Sequence, residues 1–212
     1  MKYITIILLL VGINTNGQER NNSKYLDAMT STINKMYSGN LQNTINKFTR
    51  ISNAEKDEWL PNYYIAYLYT INSFGETDKQ KAFYNLELAK SAIDKAHKTS
   101  NNSELTTIKA LINTAYIAKD PITYAPKLGD ETMKLYDRAI AQDSLNPRPL
   151  YLKAQFEMGT ARFFGKDLTP YCKSVKDAIK LFDTFIPKSS IYPIWGKKQA
   201  QQIIEITCSK LD

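Results

Sequence analysis

The stretch Leu135–Met158, LYDRAIAQDSLNPRPLYLKAQFEM, decides how the chain is read. Leu135, Ala139 and Ile140 follow the i, i+4, i+5 spacing of a helix with one apolar face. Gln142-Asp143-Ser144-Leu145-Asn146-Pro147 stops that helix, and Pro147 stands where a new one can begin. Leu150, Ala154 and Ala161, with Leu152 and Phe156 beside them, supply the buried side of the second helix. The stretch is a joint between two helical hairpins.

Outward from this joint, the same plan repeats. Ala66, Ala110 and Ala154 follow one another at intervals of 44 residues. Tyr64, Ile108 and Leu152 share one position of that register, and Leu68, Ile112 and Phe156 share another. A small residue between large apolar ones lets helices approach closely. The partner helices repeat as well, Ala92-Ile93 answering to Ala139-Ile140 with a three-residue shift. A helix pair of this kind cannot bury its apolar faces alone, so neighbouring pairs must stack.

The remaining segments fit about nine helices. Leu26, Met29, Ile33 and Met36 mark a first helix over 19–37, and Leu41, Ile45, Phe48 and Ile51 mark a second. Glu58–Phe74 is an aromatic helix with Pro61 in its first turn. Asp78 caps a helix striped by Ala82, Leu86, Ala89, Ile93 and Ala96. Leu105, Ile108, Ile112 and Ala115 define the next, which Asp120-Pro121 ends. Ile122–Gly129 reads as a less regular patch. Val175, Ile179 and Phe182 lie on a helix over 167–185, 187–193 is a linker, and a capping helix covers about 194–208.

Composition bounds the class. Hydrophobic residues at 43% and charged residues at 23% suit a folded chain. With 8 Gly and 8 Pro, the punctuation favours long helices over many short strands. Residues 1–17 read as a signal peptide: Lys2, the short apolar run Ile4–Val11, then Thr15 and Gly17 at the −3 and −1 positions of a cut before Gln18. The run is too short to span a bilayer. The expectation is therefore one helical domain over 18–212, exported to the periplasm or secreted, with no transmembrane segment in the mature chain. Removing Lys2 lowers the formal charge from +7 to +6. The basic residues are scattered rather than clustered, so no nucleic-acid partner is expected.

The small residue in the first helix of each pair, the Ala-x-x-x-Ala faces of the second and the Asp-Ser-Leu-Asn-Pro ending resemble the tetratricopeptide repeat. From Lys176-Asp177-Ala178-Ile179 through Phe185 to Pro193-Ile194-Trp195-Gly196, the chain resembles exported bacterial proteins of that class. The likeness covers about 24–208. It implies an all-α, right-handed solenoid of antiparallel helix pairs. The 44-residue unit exceeds the usual length of about 34, and Ala stands where Gly is usual, which implies longer helices.

Chemistry is sparse. His97 is the only histidine and reads as a solvated edge residue. No nucleophile motif, zinc-ligand spacing or Gly-rich phosphate loop is present, so neither an enzyme nor a metal or other cofactor is expected. Asp57-Glu58 and Asp130-Glu131 read as acidic helix starts favoured by the macrodipole. Cys172 and Cys208 lie at one end of the final helix pair and fit either a disulfide or two small core residues.

Trp59, Tyr63 and Tyr67 line one helical face, a spacing that serves core filling. The resemblance adds a second reading, because first helices in tetratricopeptide arrays line a concave groove. The register then places Tyr63, Tyr67 and Thr70 in that groove, followed by Thr107, Leu111 and Thr114, and by Arg148, Tyr151, Gln155 and Met158. Such a surface implies a non-catalytic adaptor that binds a peptide or protein of the cell envelope. The alternative is a carrier or sensor of a small ligand such as a glycan or peptide fragment. A pocket roofed by the 120–130 segment would favour the carrier.

Overall fold

The computed structural model describes residues 15–210, with side chains from residue 23 onward. Residues 1–14 of the expected signal segment lie outside them. The described chain is all-α. Its helices are α1 (Thr15–Asn34), α2 (Leu41–Ala54), α3 (Leu60–Gly75), α4 (Lys79–His97), α5 (Ser103–Lys119), α6 (Pro121–Gln142), α7 (Pro147–Phe163), α8 (Thr169–Thr184) and α9 (Lys197–Ile206). A final 3-10 turn covers Cys208–Lys210.

Local chemistry sets the helix starts. Asn40, Asp78, Asn102, Asp120 and Asn146 each accept a backbone N–H of the first turn that follows them, satisfying donors that have no partner within the helix. Asn102 and Asn146 stand 44 residues apart, so the repeat includes its own caps. Pro121 and Pro147 occupy first-turn positions where a missing N–H costs nothing.

Packing follows the pairs: α3 on α4, α5 on α6, α7 on α8, with α3, α5 and α7 side by side. Ala66, Ala110 and Ala154 are fully buried at the centres of these three helices. The α4 stripe of Ala82, Leu86, Ala89, Ile93 and Ala96 is buried along its whole length, as its spacing requires. Cys172 and Cys208 form a disulfide that ties α8 to the chain end.

Three expectations are corrected. Ile122–Gly129 is not irregular: α6 runs unbroken from Pro121 to Gln142, with Pro126 inside it. The Asp120 side chain caps it through the Thr123 N–H at 3.1 Å, and the amphipathic face beyond carries it past the proline. Asp130-Glu131 consequently lies mid-helix and not at a start. The capping helix is shorter than 194–208, because Gly196 takes a positive φ of 112° and only then does α9 begin. This leaves Trp195 on an irregular strap, Phe185–Gly196, laid across α3 and α7.

Candidate functional site

A cavity of about 1000 Å³ opens between α3, α5, α6 and α7, with the strap and the start of α9 along one side. Its size is at the upper end of small-molecule sites, roughly 300–1,000 Å³. Eight aromatic residues line it: Tyr67, Phe74, Tyr136, Tyr151, Phe156, Phe163, Phe164 and Trp195. Asp130 is the single charged residue among the described lining. Pro121, Ile122, Ala125, Pro126 and Gly129 bring the first half of α6 into the wall. The 120–130 segment therefore does border a pocket, as a helix.

The two ends of the cavity differ. At the inner end, Tyr67 and Trp195 stack with ring centroids 4.5 Å apart and planes 23° apart, making one flat aromatic wall. Tyr136 shares a 2.9 Å hydrogen bond with Thr114. Thr114 spends its hydrogen on the Ala110 carbonyl, so the phenol is the donor. Tyr151 is buried, and its hydroxyl has no hydrogen-bond partner among the described residues. At the mouth, Ile122, Phe163 and Phe164 are largely exposed, at 86%, 69% and 65%. Such apolar exposure at a cavity rim marks a binding surface more often than chance. Gly129 and Gly159 also line the space, and a Cβ at either would meet no atom within 4 Å.

Burial pushes the Tyr151 phenol up to about 12, and it raises Tyr67 and Tyr136 as well. All three are neutral donors at physiological pH. Among the described residues the lining contains no His, Cys, Lys or Arg. Among the described residues no cluster of three His, Cys, Asp or Glu could hold a metal ion. His97 lies half-buried at the end of α4, away from the cavity. Its pKa is lowered by burial and then by Lys109.

Of the ten residues expected in a groove, the structure brings five to the cavity: Tyr67, Leu111, Thr114, Tyr151 and Gln155. Tyr63, Thr70, Thr107, Arg148 and Met158 are buried outside its lining. The reason is that α3 and α5 are covered on more faces than a simple groove wall would be. Thr70 and Thr107 turn back on their own helices, donating to the Ala66 and Ser103 carbonyls at 2.7 and 2.6 Å. Arg148 is wholly buried against Glu104, with Nη2–Oε1 at 2.6 Å and Nε within 3.0 Å of both carboxylate oxygens. Asn146 and Tyr63 donate to the same carboxylate.

Glu104 and Trp195 were not legible as functional residues. A signal for Glu104 did exist: it stands 44 residues before Arg148, so the pair occupies one register position in consecutive first helices. Trp195 carried none, because its place depends on a linker that crosses the fold. No helix among the described residues is long and apolar enough to cross a membrane.

Comparison with known proteins finds no matching family model and no matching curated protein. Among solved structures, the chain is similar to the HusA haemophore from Porphyromonas gingivalis, with a TM-score of 0.75 and 22% sequence identity. The match covers 89% of this chain and 94% of that one, and at this identity it is a likeness of fold.

Proposed function

We propose that the chain is a non-catalytic carrier that holds a large, planar, mainly apolar ligand of the tetrapyrrole class in the α3–α5–α6–α7 cavity. The observation that carries this reading is the wall itself: about 1000 Å³ lined by eight aromatic residues and one charge. Flat ligands gain from offset stacking on such rings in addition to apolar burial. The fold it shares with a protein described as a haemophore supports the same class of cargo. The helix pairs and their 44-residue register fit a tetratricopeptide-like, right-handed solenoid, exported under the direction of residues 1–17.

The lining also bears on how such a ligand would be held. Were the cargo to carry an iron, Met133 and the phenols of Tyr67, Tyr136 and Tyr151 would be among the lining groups with a donor atom for it, and burial keeps the phenols from ionising. The affinity would then come from stacking and burial of the macrocycle, and with no cation among the described lining residues its carboxylates would find no ionic partner inside. Visible-absorbance titration of the mature chain with haem and with metal-free protoporphyrin tests this. The expected result is saturable one-to-one binding of both, with dissociation constants within about tenfold, a gap of 1.4 kcal/mol. Binding of neither would overturn the carrier reading.

A second reading, an adaptor for an envelope protein, is favoured by the exposed apolar mouth at Ile122, Phe163 and Phe164. A crosslinking pull-down with tagged mature chain, beside Phe163→Ser/Phe164→Ser, tests it. A protein recovered with the parent and lost with the folded variant is the result this reading expects. The same recoveries with both chains would remove it.

A further inference from the structure

The fully buried Glu104–Arg148 pair is the most costly feature of the interior, and neither fold nor cavity explains it directly. A buried ion pair is no better for stability than apolar residues of similar volume. What this pair does locally is hold a third group. Tyr63 donates to Glu104 Oε2 at 2.8 Å and accepts from the Trp195 indole Nε1–H at 2.9 Å. Burial, then the Glu104 carboxylate, raises the Tyr63 pKa well above its usual range, so the phenol stays protonated and that donor–acceptor direction is fixed. The Arg148 guanidinium lies 4.6 Å from the Phe185 ring centroid and 5.8 Å from that of Trp195. Tyr64 donates to the Ile191 carbonyl at 2.9 Å, holding the same strap further back. Gly196 completes the seat: a Cβ there would stand 2.7 Å from Phe182 Cζ.

The outcome of these contacts is one face of the cavity. Trp195 sits on an irregular strap whose own backbone has no helix or sheet to fix it, yet its ring lies flat against Tyr67 and lines the ligand space. We infer that Tyr63 is a positioning residue: anchored by Glu104 and Arg148, it sets the Trp195 indole as the flat inner wall against which the cargo stacks. The inference rests on the carrier reading for its ligand, and it moves Tyr63 from the expected groove surface to a place behind the wall.

The test uses Tyr63→Phe, which keeps the ring and removes only the shared hydroxyl. Trp195→Phe removes the same hydrogen bond from the other side while keeping a ring against Tyr67, and so covers the case in which the first variant does not fold. The indole N–H resonances of Trp59 and Trp195 are followed by hydrogen exchange in the ligand-free mature chain, assigned with Trp59→Phe. Protoporphyrin and haem affinity are measured alongside. Exchange at the Trp195 indole at least tenfold faster in Tyr63→Phe, with porphyrin affinity at least fivefold weaker, is the expected result. The Tyr63→Phe/Trp195→Phe double variant should then lose no more affinity than Trp195→Phe alone, because losing the indole already removes the bond that Tyr63→Phe removes. A merely structural role would lower stability and leave affinity and the double-variant comparison untouched, and that result overturns the inference. If the parent binds no porphyrin, the carrier reading falls by itself, and the exchange rate alone decides whether Tyr63 positions Trp195.

Discussion

Removing the Arg148 guanidinium while Glu104 remains strands a carboxylate in a site with no solvent access. Arg148→Ala is therefore expected to destabilise the fold by about 3–5 kcal/mol, measured as the midpoint shift in urea denaturation. Glu104→Leu/Arg148→Met, which replaces both charges with apolar volume, should cost much less. Equal losses in the two variants would mean that the pair acts through packing alone. The same residues mark where sequence reading stopped. The register puts Arg148 in a groove, one turn before the position that Tyr63, Thr107 and Tyr151 share. Its partner Glu104 lies on another helix, and periodicity alone does not disclose that two equivalent positions face each other.

At the scale of elements, the helix pairs were legible because stripe spacing, caps and breakers agreed at each boundary. Asn102 and Asn146 at helix starts and Ala66, Ala110 and Ala154 at helix centres are five such points. The patch 122–129 reads as irregular in sequence, yet the Asp120 cap and the following apolar face carry α6 through Pro126 and Gly129. Eight of the residues that line the cavity, from Pro121 to Tyr136, come from this helix, so its regularity shapes one wall. The final pair holds a separate prediction. Cys172 and Cys208 are 36 residues apart, and closing a loop of that length stabilises by about 3–4 kcal/mol on the entropy model. Reduction should lower the unfolding midpoint by roughly that free energy, with α8, α9 and the strap exchanging amide hydrogens first. An unchanged midpoint in reductant would show that the α8–α9 contacts suffice without the bond.

Across the whole molecule, the density of buried phenols sets how the fold responds to base. Tyr63, Tyr64, Tyr67, Tyr136 and Tyr151 all have raised pKa values, with burial the largest cause in each. A raised folded-state pKa means that the native state holds its proton more tightly than the unfolded chain. The stabilisation is complete below the unfolded phenol pKa near 10 and is lost as the pH climbs toward the folded values. Stability by denaturant titration should therefore be flat in this respect up to about pH 9 and fall steeply above pH 10. Tyr151→Phe should make that fall shallower. An equally steep fall in the variant would place the alkaline sensitivity elsewhere.

Gly159 offers the sharpest test of the cavity as the ligand site. Gly159 lies in α7, lines the cavity and has open space where a side chain would go. Gly159→Leu should raise helix propensity by about 1 kcal/mol while filling part of the ligand space. The decisive measurement is an equilibrium titration of protoporphyrin into the parent and Gly159→Leu, with the unfolding midpoint of each. The expected result is a variant at least as stable as the parent whose porphyrin affinity is at least tenfold weaker. Undiminished affinity in a well-folded Gly159→Leu would contradict the assignment of this cavity as the ligand site.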